Sequence, residues 1–128
     1  MSGKERNPVI RTSPRFAELN MNGNIFGGWV LSHMDIAGGI TAARRAKGTV
    51  ATVAIEAMKF KAPIRAGDLV SCYTEIEAVG TTSITVRVDV TATRAKADGT
   101  VTEVDVTEGI FIFVALDKDD RPRPVPKD

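Results

Sequence analysis

One carboxylate stands within an apolar segment that begins with two glycines. Asp35 follows Gly27 and Gly28 by about two helical turns, in the sequence Gly-Gly-Trp-Val-Leu-Ser-His-Met-Asp. Backbone N–H groups in the first turn of a helix have no intrahelical acceptor, and the positive end of the helix dipole lies behind them. Glycine leaves those donors uncovered. The segment therefore predicts a site for an anion, or for an oxyanion that forms during a reaction.

Helical spacing places Asp35 on a face made largely of small residues. The other members of that face are Gly28, Leu31, Ser32, Gly38, Gly39 and Ala42. A glycine in a helix interior costs about 1 kcal/mol relative to alanine, so Gly38 and Gly39 predict close approach by a strand, a second subunit or a ligand. A carboxylate among such neighbours is either paired or functional. The only histidine, His33, falls on another face beside Trp29, and we expect it to be structural.

Composition and charge limit the function classes. The chain has 128 residues, 43% of them hydrophobic and 26% charged, which is typical of one globular domain. Its net charge of +1 argues against nucleic acid or an anionic membrane as a partner. The lone cysteine, Cys72, excludes an intrachain disulfide, and the lone histidine argues against a zinc site, so no metal or cofactor is expected. Without an apolar run of about 20 residues or a signal-peptide core, a cytoplasmic protein is expected.

The periodicity predicts an α+β fold in which one long helix packs on a curved antiparallel sheet of about five strands. The helix is expected from Gly27 to Lys47, before a stop at Gly48, and Asp98-Gly99 is a hairpin signal. Residues 110–116 are apolar on both faces of their strand, which indicates burial on both sides or contact with a second subunit. Open sheet edges favour a dimer. Strands are predicted at 9–12, 49–60, 69–78, 84–93 and 101–116, between a polar end at 1–7 and a basic, proline-rich tail at 117–128.

Several short motifs stand in an order that is typical of one family. The segment Asn24-Ile-Phe-Gly-Gly-Trp, followed by Met-Asp35-Ile, resembles the hotdog-fold acyl-CoA thioesterases, most closely the YciA-type bacterial enzymes. Further matches stand at residues 53–60, 63–64, 66–70, 79–80 and 113–117. The resemblance implies a single hotdog domain over 1–128 that hydrolyses acyl-CoA to free CoA and a carboxylic acid. It also implies a homodimer, commonly assembled as a trimer of dimers, with an active site shared between two subunits.

The resemblance also implies roles for individual residues. Asp35 matches the catalytic carboxylate, which either activates a water molecule as a base or attacks the thioester directly to give a mixed anhydride. The N–H group of Gly27 or Gly28 would then stabilise the oxyanion. Asn24 matches a polar position expected near the substrate, and Asn20 matches an asparagine that enters the loop. The choice between base and nucleophile stays open.

Recognition of CoA is expected to involve basic residues. Relatives place a basic residue directly before the equivalent of Pro63, whereas this chain has Lys61 one position earlier, so its side chain would point to the other face of a strand. Arg121 and Arg123 resemble a basic tail that can hold nucleotide phosphates, and we expect that tail to lie across the partner subunit. The full set of expected substrate-binding residues is Asn20, Met58, Lys59, Phe60, Lys61, Arg87, Arg121 and Arg123.

Two other functions fit part of the pattern. A hotdog dehydratase acting on hydroxyacyl thioesters would need a histidine and an acid placed differently from His33 and Asp35. A non-catalytic acyl-CoA sensor would need a separate output partner. The acyl-chain preference also stays open, because the depth of the pocket depends on how Met34, Met58, Phe60 and partner residues pack. The sequence likewise leaves hexamer and tetramer as alternatives.

Overall fold

The computed structural model describes residues 6–127, which form one long helix and one five-stranded antiparallel sheet. The elements are β1 (Ile10–Thr12), α1 (Gly27–Ala46), β2 (Val50–Phe60), β3 (Leu69–Val79), β4 (Ser83–Ala95) and β5 (Val101–Ala115), with a short 3-10 helix at Phe16–Glu18. The predicted α+β fold and element order are confirmed, with boundaries that shift by one or two residues. The polar end predicted at 1–7 lies mostly outside the described residues. No helix within the described range has the length and hydropathy needed to cross a bilayer.

The strand order β1-β3-β4-β5-β2 puts β4 at the centre of the sheet and leaves β1 and β2 as its edges. Side chains alternate across β4, so that Val86 and Val88 are buried beneath α1 while Arg87 lies on the opposite face. The helix packs closely here because Gly38 has no side chain: a Cβ at this position would lie 3.0 Å from the Phe113 ring. The predicted close approach at Gly38 is therefore an approach to a strand.

The face of α1 that packs on the sheet differs from the predicted small-residue face. Its buried residues are Val30, Met34, Ala37, Gly38, Ala42 and Ala46. Gly28 and Ser32 are exposed, and Asp35 is half-buried at the border of the packed face. The larger side chains of Val30 and Met34 remove more apolar surface from water, so they direct the orientation of the helix.

The left-handed residue that ends the helix comes one position earlier than the glycine signal predicts. Lys47 adopts this conformation with a φ of 58°, a position that glycine usually fills. Gly48 is needed for a different reason, because a Cβ there would lie 2.6 Å from a guanidinium nitrogen of Arg123. That guanidinium donates to the carbonyls of Ala46 at 2.8 Å and Leu116 at 2.9 Å. Arg123 therefore caps the C-terminus of α1.

The proline-rich tail packs on its own subunit, and its expected path across a partner subunit stays a prediction. The N–H of Val125 donates to the carbonyl of Thr81 at 2.8 Å, and the Val125 side chain is buried. Arg45 of α1 donates to the carbonyl of Pro126 at 2.6 Å. The tail packs here because it supplies both partners that the last turn of α1 needs. Arg123 donates to the carbonyl of Ala46, and the carbonyl of Pro126 accepts from Arg45.

The connection from β2 to β3 is anchored by a buried carboxylate. Asp68 is 1% exposed and accepts two hydrogen bonds from the Arg94 guanidinium, at 3.0 and 2.8 Å, and one from the N–H of Arg65 at 2.8 Å. Burial acts to raise the pKa of Asp68, but the bonds from Arg94 and Arg65 outweigh it and hold the pKa below its ordinary value. The charged pair thus fixes the loop that precedes β3.

Candidate active site

Asp35 lies where the middle of α1 meets the edge strand β2. The hydroxyl of Thr52 donates to Asp35 Oδ1 at 2.5 Å, which orients the carboxylate through one oxygen and leaves Oδ2 for a reacting group. The residue pattern did not single out Thr52 as a site residue. It is nevertheless the only hydroxyl residue in β2, and a lone hydroxyl in an apolar strand is the signal that points to it.

The first turn of α1 presents its N–H groups without a side-chain cap. Phe26 occupies the N-cap position and cannot supply the oxygen that serine or aspartate would. A Cβ at Gly28 would meet no atom within 4 Å, so a ligand can approach the backbone there. The two predicted oxyanion donors, Gly27 and Gly28, are both exposed at the positive end of the helix dipole.

An apolar cavity of about 320 Å³ opens beside this helix start. Its lining includes Ile25, Val30, Phe60 and Ile64, together with Gly27. The Phe60 ring would lie 3.8 Å from a Cβ at Gly27, and 58% of Phe60 is exposed, so the cavity borders the open edge of the sheet. A volume of this size has room for about ten groups as large as water, enough for a short acyl chain or part of a pantetheine arm.

Within one subunit, the base and the oxyanion donors do not reach the same point. A helix rises 1.5 Å per residue, so Gly27 and Asp35 lie roughly 12 Å apart along α1. Each is beside a different half of β2. Gly27 lines one cavity with Phe60, at the C-terminal end of the strand. Asp35 contacts Thr52, in the N-terminal half. A thioester carbonyl bound by one of these groups is therefore out of reach of the other group in the same chain.

The asparagines hold the loop before the helix. Asn20 Oδ1 accepts hydrogen bonds from the N–H groups of Asn22 at 2.9 Å and Asn24 at 3.1 Å. The backbone of Asn24 also forms a bridge with Arg65. Asn20 thereby shapes the loop, and its side-chain oxygen is already occupied by these two backbone bonds. Asn24 is half-buried and stands two residues before the N-cap of α1.

Two of the basic candidates for CoA binding, Lys61 and Arg87, are paired with carboxylates on the outer face of the sheet, although Lys61 also lines the cavity beside the start of α1. Lys61 Nζ lies 2.6 Å from Glu108, and the Arg87 guanidinium lies 3.1 Å from both Glu108 and Asp89. The hydrogen bond between Lys61 and Glu108 raises the pKa of the lysine and lowers the pKa of the glutamate. A phosphate would have to displace these carboxylates to use either cation.

The remaining basic candidates differ in their freedom to bind a ligand. Lys59 and Arg121 are exposed. Arg123 is not free in the same sense, because all its guanidinium nitrogens lie within 3.5 Å of backbone carbonyls of its own chain. Met58, a predicted pocket residue, is half-buried against the core. Of the two tail arginines expected to bind CoA, Arg121 is therefore the one available to a ligand.

The histidine is fastened to its own helix. His33 Nδ1 donates to the carbonyl of Trp29 at 2.9 Å, and the two rings lie with centroids 4.0 Å apart. Residues two positions apart on a helix point to different sides, so His33 does not face the same space as Asp35. This placement fits the expected structural role and does not provide the histidine and acid pair that a dehydratase needs.

Comparison with known proteins gives a consistent result. The family model described as Thioesterase superfamily matches residues 22–97. The acyl-CoA thioester hydrolase YciA of Salmonella typhimurium is 43% identical over 118 residues, which cover 92% of this chain and 89% of that protein. Among solved structures, a hexameric hotdog fold thioesterase of Campylobacter jejuni has a TM-score of 0.92 at 34% identity, covering 98% of this chain and 94% of that chain.

A second solved structure extends the comparison. It is the hexameric broad specificity acyl-coenzyme A thioesterase HI0827, crystallised as a mutant with one aspartate replaced by alanine. Its TM-score is 0.91 at 38% identity, covering 97% of this chain and 89% of that chain. One helix against a five-stranded antiparallel sheet is thus the hotdog fold of these enzymes. The chain belongs to the thioesterase superfamily, and the resemblance to its YciA-type members is confirmed.

Proposed function

We propose that this protein hydrolyses acyl-CoA thioesters to free CoA and a carboxylic acid, with Asp35 at the reacting centre. One observation carries the assignment of the residue: the only carboxylate of α1 is held by Thr52 at the border with an exposed edge strand. The relatives named as acyl-CoA thioester hydrolases support the reaction, since they match over nine-tenths of the chain. The replacement of an aspartate in the HI0827 mutant is consistent with a carboxylate of this kind.

The chemistry requires an ionised Asp35 by either of two routes. As a base, its free oxygen takes a proton from water, and the resulting hydroxide attacks the thioester carbonyl carbon. As a nucleophile, the carboxylate attacks that carbon itself, and water then cleaves the mixed anhydride. In both routes the carbon–sulfur bond breaks, the thiolate of CoA leaves and is protonated, and the helix N-terminal N–H groups stabilise the oxyanion. Water and protein groups are sufficient, so no metal is proposed.

The site is completed by a second copy of the chain. The open edge strand β2 exposes Val53 and Ile55, which favours pairing with another strand. When two copies of β2 pair antiparallel about a two-fold axis, the N-terminal half of one lies beside the C-terminal half of the other. This pairing brings Asp35, next to Thr52, towards Gly27 of the partner subunit, next to that subunit's C-terminal end of β2. The base and the oxyanion donor, which lie about 12 Å apart along one helix, thus come together from two subunits. Each dimer holds two such composite sites.

Similar solved structures support a larger assembly. Two of the similar solved structures are hexamers. We propose that three dimers of this protein associate in the same stoichiometry, which a mass measurement by light scattering distinguishes from a dimer or a tetramer. The apolar outer row of β5, at Ile110, Ile112 and Val114, is only partly covered within one subunit and supplies surface for further contacts.

The activity is tested by the release of free thiol from acetyl-, butyryl- and palmitoyl-CoA. Asp35→Ala should lower turnover at saturating substrate by at least about 100-fold, because removal of a general base typically costs that much. Glu77→Ala, which removes an exposed carboxylate from β3, is the matched control and should retain activity. If the wild type releases no thiol from any of these substrates, the protein is not the proposed hydrolase.

The shared site is tested by mixing two inactive variants. Gly27→Pro removes the N–H at the first helical position, where proline is well tolerated. In a mixed dimer of Asp35→Ala and Gly27→Pro subunits, one of the two composite sites keeps both groups, so refolding the two together should restore activity. A site built within one chain would be inactive in every mixed dimer. Failure to recover activity in verified mixed dimers would therefore contradict the proposed arrangement.

A further inference from the structure

We infer that Met58 limits the length of the acyl chain, and that Ala57 and Gly109 are positioning residues that hold Met58 in place. This inference rests on the proposed thioesterase function. Its starting point is a bulge in β2. On either side of the bulge, Glu56 pairs with Ile110 and Lys59 pairs with Glu108. Ala57 and Met58 together therefore face the single residue Gly109. Such a bulge bends its strand and redirects one side chain.

The bulge uses an unusual residue at its strained position. Ala57 has a φ of 50°, in the left-handed region that glycine fills in this kind of bulge. An L-residue in that region is disfavoured, and such positions are retained where the surrounding structure fixes them, often next to functional sites. Here the consequence is that the following residue, Met58, turns from the edge of the sheet towards its core.

Gly109 provides the space that Met58 occupies. A Cβ at Gly109 would lie 2.8 Å from Met58 Cε, 3.0 Å from its Sδ and 3.4 Å from Met34 Cε. Real Cβ atoms essentially never come as close as the first of these distances, so any side chain at this position must displace the thioether of Met58. The side chain of Met34 is fully buried on the far side. Met58 is half-buried, so part of its side chain stays accessible from outside the core.

Met58 also has a suitable position along β2. It lies between Thr52, which contacts Asp35, and Phe60, which lines the cavity at the start of α1. An acyl chain that leaves the reacting carbonyl and follows β2 therefore meets Met58 before it meets the end of the strand. Methionine is suited to such a stop because its unbranched thioether changes rotamer easily and adapts to the group beside it.

The experiment measures kcat/KM for acetyl-, butyryl-, octanoyl- and palmitoyl-CoA on intact oligomers. Met58→Ala should raise the palmitoyl-to-butyryl ratio by about tenfold or more, since a single methylene is worth a factor of that order in an apolar pocket. Gly109→Ala should lower the same ratio by a similar factor, because the added Cβ pushes Met58 away from the core and into the path of the acyl chain. In the double variant Met58→Ala with Gly109→Ala, the added Cβ has no thioether to displace, so the ratio should return to that of Met58→Ala.

Val101→Ala, which trims an exposed side chain at the start of β5, is the control and should leave the ratio unchanged. An unchanged ratio in folded Met58→Ala would overturn the inference, and this variant decides the matter even if Gly109→Ala does not fold. A ratio that falls equally in Gly109→Ala and in the double variant would also overturn it, since Gly109 would then act without Met58. Loss of thiol release in the wild type would instead refute the proposed function itself.

Discussion

The two edges of the sheet are built in opposite ways. At the β1 edge, three residues cover the start of β3, and side chains close the contact: Arg11 donates to Ser71 at 2.9 Å, and Ser13 donates to the carbonyl of Asp68 at 2.9 Å. At the β2 edge, eleven residues run past the helix with Val53 and Ile55 exposed and two register shifts against β5. One edge is partly covered within the chain, and the other is the edge that we propose to pair with a second chain.

The difference teaches where stability and function are located. Near β1 the polar groups are paired within the subunit, as in the buried Asp68–Arg94 pair. Along β2 lie Asp35, Thr52 and Met58, the residues assigned to chemistry and to chain length. An unprotected edge is a risk of aggregation unless it has a defined partner. In the proposed dimer the β2 edge takes part in both assembly and catalysis, so changes at the two edges should have separable effects.

The largest effect is expected from a charge in the middle of β2. Ile55→Lys brings two like charges close together across a β2–β2 pair, so the dimer should dissociate. Because each active site of the proposed dimer needs both chains, thiol release should fall by at least about 100-fold. Light scattering over a dilution series gives the mass, and the thiol assay gives the activity.

Arg11→Ala, at the β1 edge, is the matched variant for this comparison. It should keep both the mass and the activity, because the bond from Arg11 to Ser71 lies within one subunit. An Ile55→Lys protein that stays dimeric and fully active would show that β2 is not the shared edge.

A smaller effect, confined to stability, is expected from Asp68→Asn. Breaking a buried charged pair while leaving its partner in place typically costs a few kcal/mol, here about 2 to 4 kcal/mol in the free energy of unfolding. The native pKa of Asp68 lies below its ordinary value of 3.8, so its stabilisation is complete above that value and is lost as the pH falls through the native pKa. Urea unfolding at pH 7 measures the loss in the free energy of unfolding, and the same experiment at pH 3 measures how that loss depends on pH.

Between pH 7 and pH 3, Asp68→Asn should lose less unfolding free energy than the wild type, because it lacks the carboxylate of Asp68. Its oligomeric mass at pH 7 should equal that of the wild type. Equal stability of variant and wild type at pH 7 would contradict the role given to the Asp68–Arg94 pair. A change of oligomeric mass would show that this half of the molecule is not independent of the β2 edge.

The smallest effect is expected at Cys72, which reports on the β1 edge. This residue is 1% exposed and pairs with Ile10, and its carbonyl accepts the N–H of Val9 at 2.9 Å. Burial raises the pKa of the Cys72 thiol to about 11, so little thiolate is present at pH 8. Labelling by a thiol reagent should be slow in the native protein and several-fold faster in Arg11→Ala, as followed by mass spectrometry. Rapid labelling of the native wild type would mean that β1 does not protect this edge.

Local patterns predicted the elements well because local chemistry determines them. The alternation over 84–93 follows from one face of β4 lying under the helix. The Asp98-Gly99 turn has Gly99 at a φ of 89°, and Asp98 Oδ1 accepts the N–H of Thr100 at 2.9 Å. These features depend on residues close together in sequence, so the sequence alone contains the information.

The parts that escaped prediction depend on distant partners. Nothing in the type of Ala57 indicates a left-handed bulge, because only the pairing of β2 with β5 imposes it. The same holds for Thr52, whose role follows from its contact with Asp35 across the helix–sheet border. The sequence identified Asp35 and Gly27 as candidates, but which half of β2 each one faces is a property of the packed structure.

The bond from Arg123 to Ala46 joins residues 77 positions apart in the chain. During synthesis α1 leaves the ribosome long before the arginine that satisfies its final carbonyls has been made. The helix must therefore pass through a period in which its last turn is solvated and prone to fray, and closure of such a long segment is a slow, late event in folding. Until the tail docks, the last turn of α1 lacks the donor that Arg123 supplies to Ala46.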